Sequence, residues 1–248
     1  IVRRSDGANS GPGAWQLLNP SAGCGSFGSV VTGSVVSGDN GKSQTCTMNS
    51  QRYAQVAPDI RRINATAHLT VNVTPRSQLV AMFNYSQAMT TVTGTPTTTR
   101  TYSQAELANT LSTPIPAYLP NGQLNPNDPF AAEGKAAEVD YRFADLLPTT
   151  TEFNQNFRGS VRYAGWEPSD WGSDWHYNAD FVGMATRLTQ TITGVPTINS
   201  LENAITSGDY NFVDPSQNSQ AVLNALAPRS VITATTSEYS GNLTANKG

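Results

Sequence analysis

Hydrophobic and polar residues alternate with a period of two through much of this sequence. The longest example begins at residue 152, where odd positions carry mostly apolar side chains and even positions mostly polar ones. After a turn rich in Gly, Pro, Ser and Asp, the alternation continues to residue 188. Because successive strand residues point to opposite faces, this pattern predicts two antiparallel strands whose faces lie in different solvents.

The predicted strands are longer than those of most soluble proteins. Strands of soluble sandwiches have about 5 to 6 residues, whereas a membrane-crossing barrel strand needs about 9 to 11. Aromatic residues flank the turn, where the girdle of a transmembrane barrel would lie. We therefore interpret residues 152–188 as a hairpin of an outer-membrane β-barrel. With an earlier hairpin, it gives these predicted lipid-facing residues: Phe83, Tyr85, Phe157, Val161, Tyr163, Trp175, Tyr177 and Phe181.

The same alternation divides the whole chain into six segments. Short turns within the hairpins alternate with long loops, as periplasmic turns and extracellular loops do in outer-membrane barrels. The prediction is an all-β, antiparallel transmembrane β-barrel segment, treated as one partial domain over residues 1–248. Its segments are a loop at 1–60, a hairpin at 61–92, a loop at 93–135, a hairpin at 136–193, a loop at 194–230 and a strand at 231–248.

Local signals predict short helices within the long loops. Residues 103–111, 200–207 and 219–226 each begin with a serine that could cap a helix N-terminus. Pro148 interrupts the alternation that starts at Ala137. Since proline cannot donate to a strand ladder, it indicates a bulge or a point at which the strand has left the sheet.

Composition narrows the class of protein. The 248 residues are 38% hydrophobic and 13% charged, with a formal net charge of -3, against roughly 25% charged residues in ordinary soluble domains. No apolar run of about 18 residues occurs, which argues against helical membrane spans. Lys and Arg are scattered in a mildly acidic chain, so we expect no nucleic-acid partner.

Two cysteines, Cys24 and Cys46, bound a Gly/Ser-rich stretch without a helical or strand period. We expect a disulfide that closes this loop, contributes about 3 to 4 kcal/mol and indicates an oxidising compartment. Two unrelated free thiols are the alternative. A metal site would need more ligands nearby, and neither His68 nor His176 is close in sequence.

Motifs for catalysis are absent from the sequence. It contains no G-x-S-x-G, P-loop, H-E-x-x-H or C-x-x-C pattern. His176 and Asp180 share a strand face but would lie about 13 Å apart. We therefore expect neither enzymatic activity nor a cofactor or metal ion, although loop acids such as Asp128, Asp209 and Asp214 could bind calcium. For ligand contact the candidates are loop aromatics that could instead pack the loops together: Trp15, Phe27, Tyr118, Phe130 and Tyr210.

Three stretches resemble TonB-dependent outer-membrane receptors of Proteobacteria. Residues 124–165, LNPNDPFAAEGKAAEVDYRFADLLPTTTEFNQNFRGSVRYAG, are similar to the stretch where an N-P-x-D-P-F loop precedes a Y-R-F strand and a long returning strand. Residues 209–228, DYNFVDPSQNSQAVLNALAP, resemble the loop after the next hairpin. Residues 56–86, VAPDIRRINATAHLTVNVTPRSQLVAMFNYS, resemble an earlier hairpin.

This resemblance implies a function and a set of partners. The family has a barrel of about 22 strands, plugged by an N-terminal domain, that imports ferric siderophores, cobalamin or oligosaccharides using force relayed by TonB. The implied partners are the lipid bilayer of the bacterial outer membrane, the remaining barrel and plug, TonB, and a small-molecule or oligosaccharide substrate.

The sequence departs from the family pattern in its extent. It has no TonB box and no plug, and its five or six predicted strands are too few to close such a barrel. We expect a longer chain or partner chains to supply the missing strands, since open sheet edges are not tolerated in lipid. The alternative is a secreted, soluble β-rich binding or fibre-forming surface protein. A secreted hydrolase would require an acid-base constellation that the sequence lacks.

Overall fold

The computed structural model describes residues 2–4, 15–21, 24, 30–33, 44–53, 55–99, 115–169 and 172–247. These residues contain the strands β1 (Val2–Arg4), β2 (Val30–Gly33), β3 (Gln44–Thr47), β4 (Asp59–Thr74), β5 (Ser77–Thr93), β6 (Ala137–Val139), β7 (Thr149–Glu167), β8 (Trp175–Thr193) and β9 (Ser230–Lys247), and the helices α1 (Ile198–Ser207) and α2 (Gln220–Leu226). The structure is mostly antiparallel β-sheet, so the all-β prediction is confirmed.

The chain forms two compact units. The sheet unit comprises Ala57–Val92, Thr150–Thr191 and Val231–Gly248. The loop unit comprises Ile1–Val56, Thr93–Thr149 and Ile192–Ser230. Each unit is therefore assembled from three separate stretches of chain.

The sheet unit is a five-stranded sheet in the order β4-β5-β7-β8-β9. Its strands are 16 to 19 residues long, which matches the long alternation in the sequence. Two-residue and seven-residue connections, at 75–76 and 168–174, join β4 to β5 and β7 to β8. The other two connections span 94–148 and 194–229, so short and long connections leave from opposite ends of an antiparallel sheet. Within the described residues this sheet has two free edges and is not closed into a barrel.

The loop unit has its own hydrophobic core. Strand β1 pairs with β6, and β2 pairs with β3. A T-shaped arrangement of aromatic rings fills the centre, with the rings of Tyr210 and Phe212 separated by 4.7 Å and those of Tyr141 and Phe143 by 5.1 Å. Helix α1 contributes Leu201, Ala204 and Ile205 to this core, and α2 contributes Leu226.

Local sequence explains where the two helices begin and end. The Thr197 side chain accepts a hydrogen bond from the Ser200 backbone N–H at 3.2 Å, so α1 begins at Ile198, two residues earlier than predicted. It ends at Ser207, because the next residue, Gly208, has a left-handed φ of 74° that favours glycine. Ser219 caps α2 as predicted, by accepting from the Val222 N–H. The helix predicted at 103–111 lies outside the described residues.

Two details differ from the sequence-based expectations. Residues 1–60 contain the short strands β1, β2 and β3 rather than one irregular loop. The missed strands have only three or four residues each, so no period could reveal them. Strand β6 ends at Val139 and pairs with β1, and a new strand begins after Pro148, so the alternation from Ala137 does not run into the long hairpin as one strand.

The predicted disulfide between Cys24 and Cys46 is confirmed. The two Cα atoms lie 5.4 Å apart, within the range that a disulfide spans without backbone movement. Cys46 belongs to β3 and faces Val31 of β2 in the ladder. The bond therefore anchors the β2–β3 pair to Cys24.

Candidate functional site

The two faces of the five-stranded sheet differ in chemistry. The β4–β5 register pairs Ala67 with Phe83 on one face and Thr66 with Asn84 on the other. Directly opposed residues of an antiparallel pair share a face, and contacts such as Tyr85 with Phe157 carry this register into β7. Odd positions thus form a mostly apolar surface, called here the apolar face, and even positions form the polar face.

All eight predicted lipid-facing residues lie on the apolar face. The Tyr85 and Phe157 ring centroids are 4.9 Å apart, and those of Tyr163 and Tyr177 are 5.8 Å apart. The exposed fraction lies between 42% and 54% for five of the eight: Phe83, Phe157, Val161, Trp175 and Phe181. Large apolar side chains concentrated on one exposed face indicate an interaction surface rather than scattered surface residues.

Aromatic residues collect at the end of the sheet that has the short connections. Arg76 lies over the Trp166 ring, 5.0 Å from its centroid, and its Nη1 is 3.9 Å from Glu167 Oε2. On the apolar face the Tyr177 ring covers Gly165. Tyrosine and tryptophan combine an apolar ring with a polar group, and they favour boundaries between water and an apolar phase.

Side chains on the polar face form hydrogen bonds from strand to strand. Asn156 donates through Nδ2 to Ser86 Oγ at 3.3 Å and accepts at Oδ1 from Thr186 Oγ1 at 2.8 Å. These two bonds link β5, β7 and β8. In the neighbouring pair of strands, Thr66 Oγ1 donates to Asn84 Oδ1 at 3.0 Å. The polar face therefore presents ordered hydroxyl and amide groups, which suit contact with water or a polar solute.

Arginines on the polar face differ in their partners. Arg162 Nε donates to Asn178 Oδ1 at 2.6 Å and lies 3.6 Å from Asp180 Oδ1. Arg158 is exposed, and no carboxylate of the described residues comes within ion-pair distance of it. A guanidinium without a carboxylate partner is a candidate contact for an anionic ligand. His176 and Asp180 occupy the same face, as predicted.

Both edge strands of the sheet are open to solvent. Every residue of β4 and of β9 is exposed, including Tyr239 at 73% and Leu243 at 80%. An edge strand presents unpaired backbone N–H and C=O groups that can pair with another strand. The sheet thus has the length and the free edges to accept further strands on both sides.

The loop unit is ordered by two asparagine side chains that bond to backbone. Asn127 donates through Nδ2 to the Tyr210 carbonyl at 2.9 Å and accepts at Oδ1 from the Phe212 N–H at 3.0 Å. Asn218 bonds Asn211 in the same two-way manner, at 2.8 Å to its N–H and 3.2 Å to its carbonyl. Sequence reasoning missed both contacts, because asparagine in a loop usually indicates a turn.

Candidate ligand-binding aromatics in the loops occupy different environments. Tyr118 is 53% exposed, and Trp15 is partly buried. Phe130 and Tyr210 are buried in the core of the loop unit, so packing of the loops is their role in this structure. Phe27 lies outside the described residues. The structure therefore does not bring the four described residues together at one exposed site.

Two carboxyl groups in the loop unit have raised pKa values. Burial raises the pKa of Asp128 to about 6, with a further increase from the charge of Glu133 and an opposing decrease from the Phe130 N–H bond. Burial also raises the pKa of Asp145, although the Tyr210 hydroxyl donates to its carboxylate at 2.9 to 3.0 Å. The pKa of Tyr210 rises mainly through burial.

Comparison with known proteins yields no relative of this chain. No family model matches it, and neither a curated protein nor a solved structure is significantly similar to it. In the part of the chain that the structure describes, no group of three His, Cys, Asp or Glu residues could bind a metal ion. No helix among these residues is both long and apolar enough to cross a membrane.

Proposed function

We propose that this protein is part of the wall of a TonB-dependent outer-membrane receptor that imports a scarce nutrient: a ferric siderophore, cobalamin or an oligosaccharide. The observation that carries the proposal is the segregation of apolar and polar side chains on opposite faces of strands 16 to 19 residues long. In this arrangement the apolar face contacts lipid and the polar face lines the lumen.

The dimensions of the apolar face support a membrane location. On β8 it begins at Trp175, and Arg187 follows twelve residues later. At about 3.3 Å per residue and a tilt near 45°, this distance corresponds to about 28 Å along the membrane normal, so Arg187 would lie just beyond the roughly 25 Å apolar band of outer-membrane barrels. The aromatic residues near the short connections would then lie at the periplasmic interface.

The proposal assigns separate tasks to the other features. Hydroxyl and amide groups of the polar face, with Arg158, contact water and the passing solute. The exposed edges of β4 and β9 pair with the remaining strands of a closed barrel, which removes the unpaired backbone groups from lipid. In this function no covalent bond of the solute is made or broken, and TonB supplies the force for import.

Site-directed spin labelling can test which medium contacts each face. Both native cysteines are in a disulfide, so a cysteine introduced at Val161 or at its neighbour Ser160 can be labelled selectively. We expect the protein in the outer-membrane fraction, with the label at 161 accessible to oxygen and the label at 160 accessible to a water-soluble nickel chelate. Recovery in the soluble fraction would overturn the proposal. A label at 161 shielded from both reagents would favour the soluble, fibre-forming alternative.

Transport requires a separate measurement. Uptake of a ferric siderophore, labelled cobalamin and a labelled oligosaccharide should be compared in cells with and without the protein, each with and without TonB. We expect one of the three to depend on both proteins. If all three enter equally well in every strain, the import function is wrong even when the membrane location is correct.

A further inference from the structure

Two arginines lie on the polar face of β7, one on each side of Ser160. Arg158 is exposed, and no carboxylate of the described residues comes within ion-pair distance of it. Ser160 is two residues, about 7 Å along the strand, from Arg158 and from Arg162. Because arginine has a long side chain, both guanidinium groups can extend over Ser160, whose hydroxyl lies on the same face. Three groups that can donate hydrogen bonds therefore surround one position of the polar face.

The neighbouring strand β8 orients Arg162. Its Nε donates to Asn178 Oδ1 at 2.6 Å, and Asp180 Oδ1 lies 3.6 Å from the same Nε. The Arg162 side chain remains 59% exposed, so its two Nη groups are available to a further acceptor. An anion beside Ser160 would thus meet one guanidinium that Asp180 partly neutralises and a second, that of Arg158, which no described carboxylate neutralises.

Four apolar side chains interrupt the polar face around the same position. They are Val80 and Met82 of β5 and Val182 and Met184 of β8. The hydrogen bonds of Asn156 to both neighbouring strands set the register, and four residues further along β7 this register places Met82 and Val182 opposite Ser160. Met184 is 41% exposed. The anion position therefore has apolar side chains on both sides, on a face that elsewhere presents hydroxyl and amide groups.

Ser160, its two arginines and its four apolar neighbours are called here the Ser160 site. We propose that this site binds an anionic solute, with the charged group at the arginines and an apolar group of the same solute on the neighbouring side chains. The inference rests on the proposed function, in which the polar face lines the lumen, and it adds the chemical class of the solute. Guanidinium groups match the oxygens of a carboxylate or another oxyanion in geometry and in charge. Of the three nutrient classes, an anionic ferric chelate with apolar groups fits this site, whereas an uncharged oligosaccharide would leave both arginines without a charged partner.

Fluorine NMR titrations of the full protein, purified in an uncharged detergent, can test the Ser160 site with three matched probes. The probes are para-trifluoromethylbenzoate, its uncharged analogue para-trifluoromethylbenzamide, and trifluoroacetate, which is an anion without a ring. Micelles without protein provide the baseline. We expect the benzoate to bind most tightly to the wild type, because it alone combines a negative charge with an apolar ring.

Variants of the site should separate the effect of charge from that of the apolar groups. Arg158→Gln and Arg162→Gln should each weaken binding of the benzoate about fivefold and leave the benzamide unchanged, since each removes one exposed charge contact. Met184→Gln keeps a similar side-chain length but removes an apolar group. It should weaken both ring probes about threefold and leave trifluoroacetate unchanged.

Arg187→Gln is the matched control, because it removes an exposed arginine from the apolar face of β8. It should bind all three probes like the wild type. The inference is overturned if the wild type binds the benzamide as tightly as the benzoate, if Arg158→Gln retains wild-type affinity for the benzoate, or if Arg187→Gln weakens binding equally. Should Met184→Gln fail to fold, the two arginine variants decide. A protein that reaches the outer membrane without preferring the benzoate contradicts only this inference, whereas recovery in the soluble fraction contradicts the proposed function.

Discussion

The Tyr177 ring lies across the backbone of Gly165 on the adjacent strand. A Cβ atom at Gly165 would come within 2.5 Å of the Tyr177 hydroxyl and within 2.8 Å of the Ser77 Cβ. Only glycine leaves room for the ring, which in turn shields a strand position that has no side chain of its own. Such pairing of an aromatic residue with a cross-strand glycine stabilises sheets and fixes their register. The contact also orders the aromatic end of the apolar face.

Replacement of Gly165 by alanine should therefore destabilise the sheet unit. The added methyl group must displace the Tyr177 ring, and overpacking of this kind costs about 1 to 3 kcal/mol. Urea unfolding of the membrane-inserted protein, followed by tryptophan fluorescence, would measure the loss. Gly159→Ala is the matched control, because its methyl group enters open space and should leave stability unchanged or slightly increased. Equal stability of the two variants would contradict this account.

Asn127 provides a second test, in the core of the loop unit. Asn127→Leu keeps a similar volume but leaves the buried Tyr210 carbonyl and Phe212 N–H without their partner. Each unsatisfied buried group costs about 1 to 3 kcal/mol, so we expect a large decrease in the thermal stability of this unit by near-UV circular dichroism. Asn224→Leu changes an exposed asparagine of α2 and should have little effect. A similar loss in both variants would indicate a general effect of leucine.

The long strands could be predicted because their two faces have different chemistry. Neighbouring residues such as Phe157 and Arg158 point to opposite faces of a strand. Their alternation in the sequence therefore shows the chemistry of each face without knowledge of the neighbouring strands. The pairing of Val2 with Val139 could not be predicted, since two three-residue strands carry no measurable period and lie far apart in sequence. The disulfide between Cys24 and Cys46 could be predicted, because two cysteines allow only one pairing.

The parts of the site that the sequence did not reveal depend on register. Gly165 and Tyr177 look unrelated in the sequence until strand pairing brings the tyrosine ring over the glycine. In the same way, Asn127 acquires its role only when the fold brings residues 210–212 beside it. Composition and period carry no information on such contacts between distant residues.

The pH dependence of stability tests the environment of Asp128 in the loop unit. A carboxyl whose pKa is higher in the folded chain than in the unfolded chain binds its proton more tightly when folded. The pKa of Asp128 rises from 3.8 to about 6, so its contribution favours folding below pH 3.8 and is lost as the pH rises to about 6. Asp128→Asn keeps the acceptor for the Phe130 N–H and should remove this dependence. Thermal melts of the wild type and of Asp128→Asn at pH 4, 5, 6 and 7 would measure the difference between their melting temperatures at each pH. A difference that is constant with pH would contradict the assignment.

Reduction of the Cys24–Cys46 bond should loosen the β2–β3 pair without affecting the long strands. The bond closes a loop with a sequence separation of 22 residues, and a loop of this length gives about 3 kcal/mol of stabilisation in the chain-entropy description. In hydrogen exchange, a reductant should therefore accelerate the amides of β3, where Cys46 pairs with Val31, but leave those of β4 and β5 unchanged. The variant with both cysteines replaced by serine should exchange like the reduced wild type and no longer respond to reductant. Unchanged protection of β3 in that variant would mean that its ladder, rather than the disulfide, stabilises this pair.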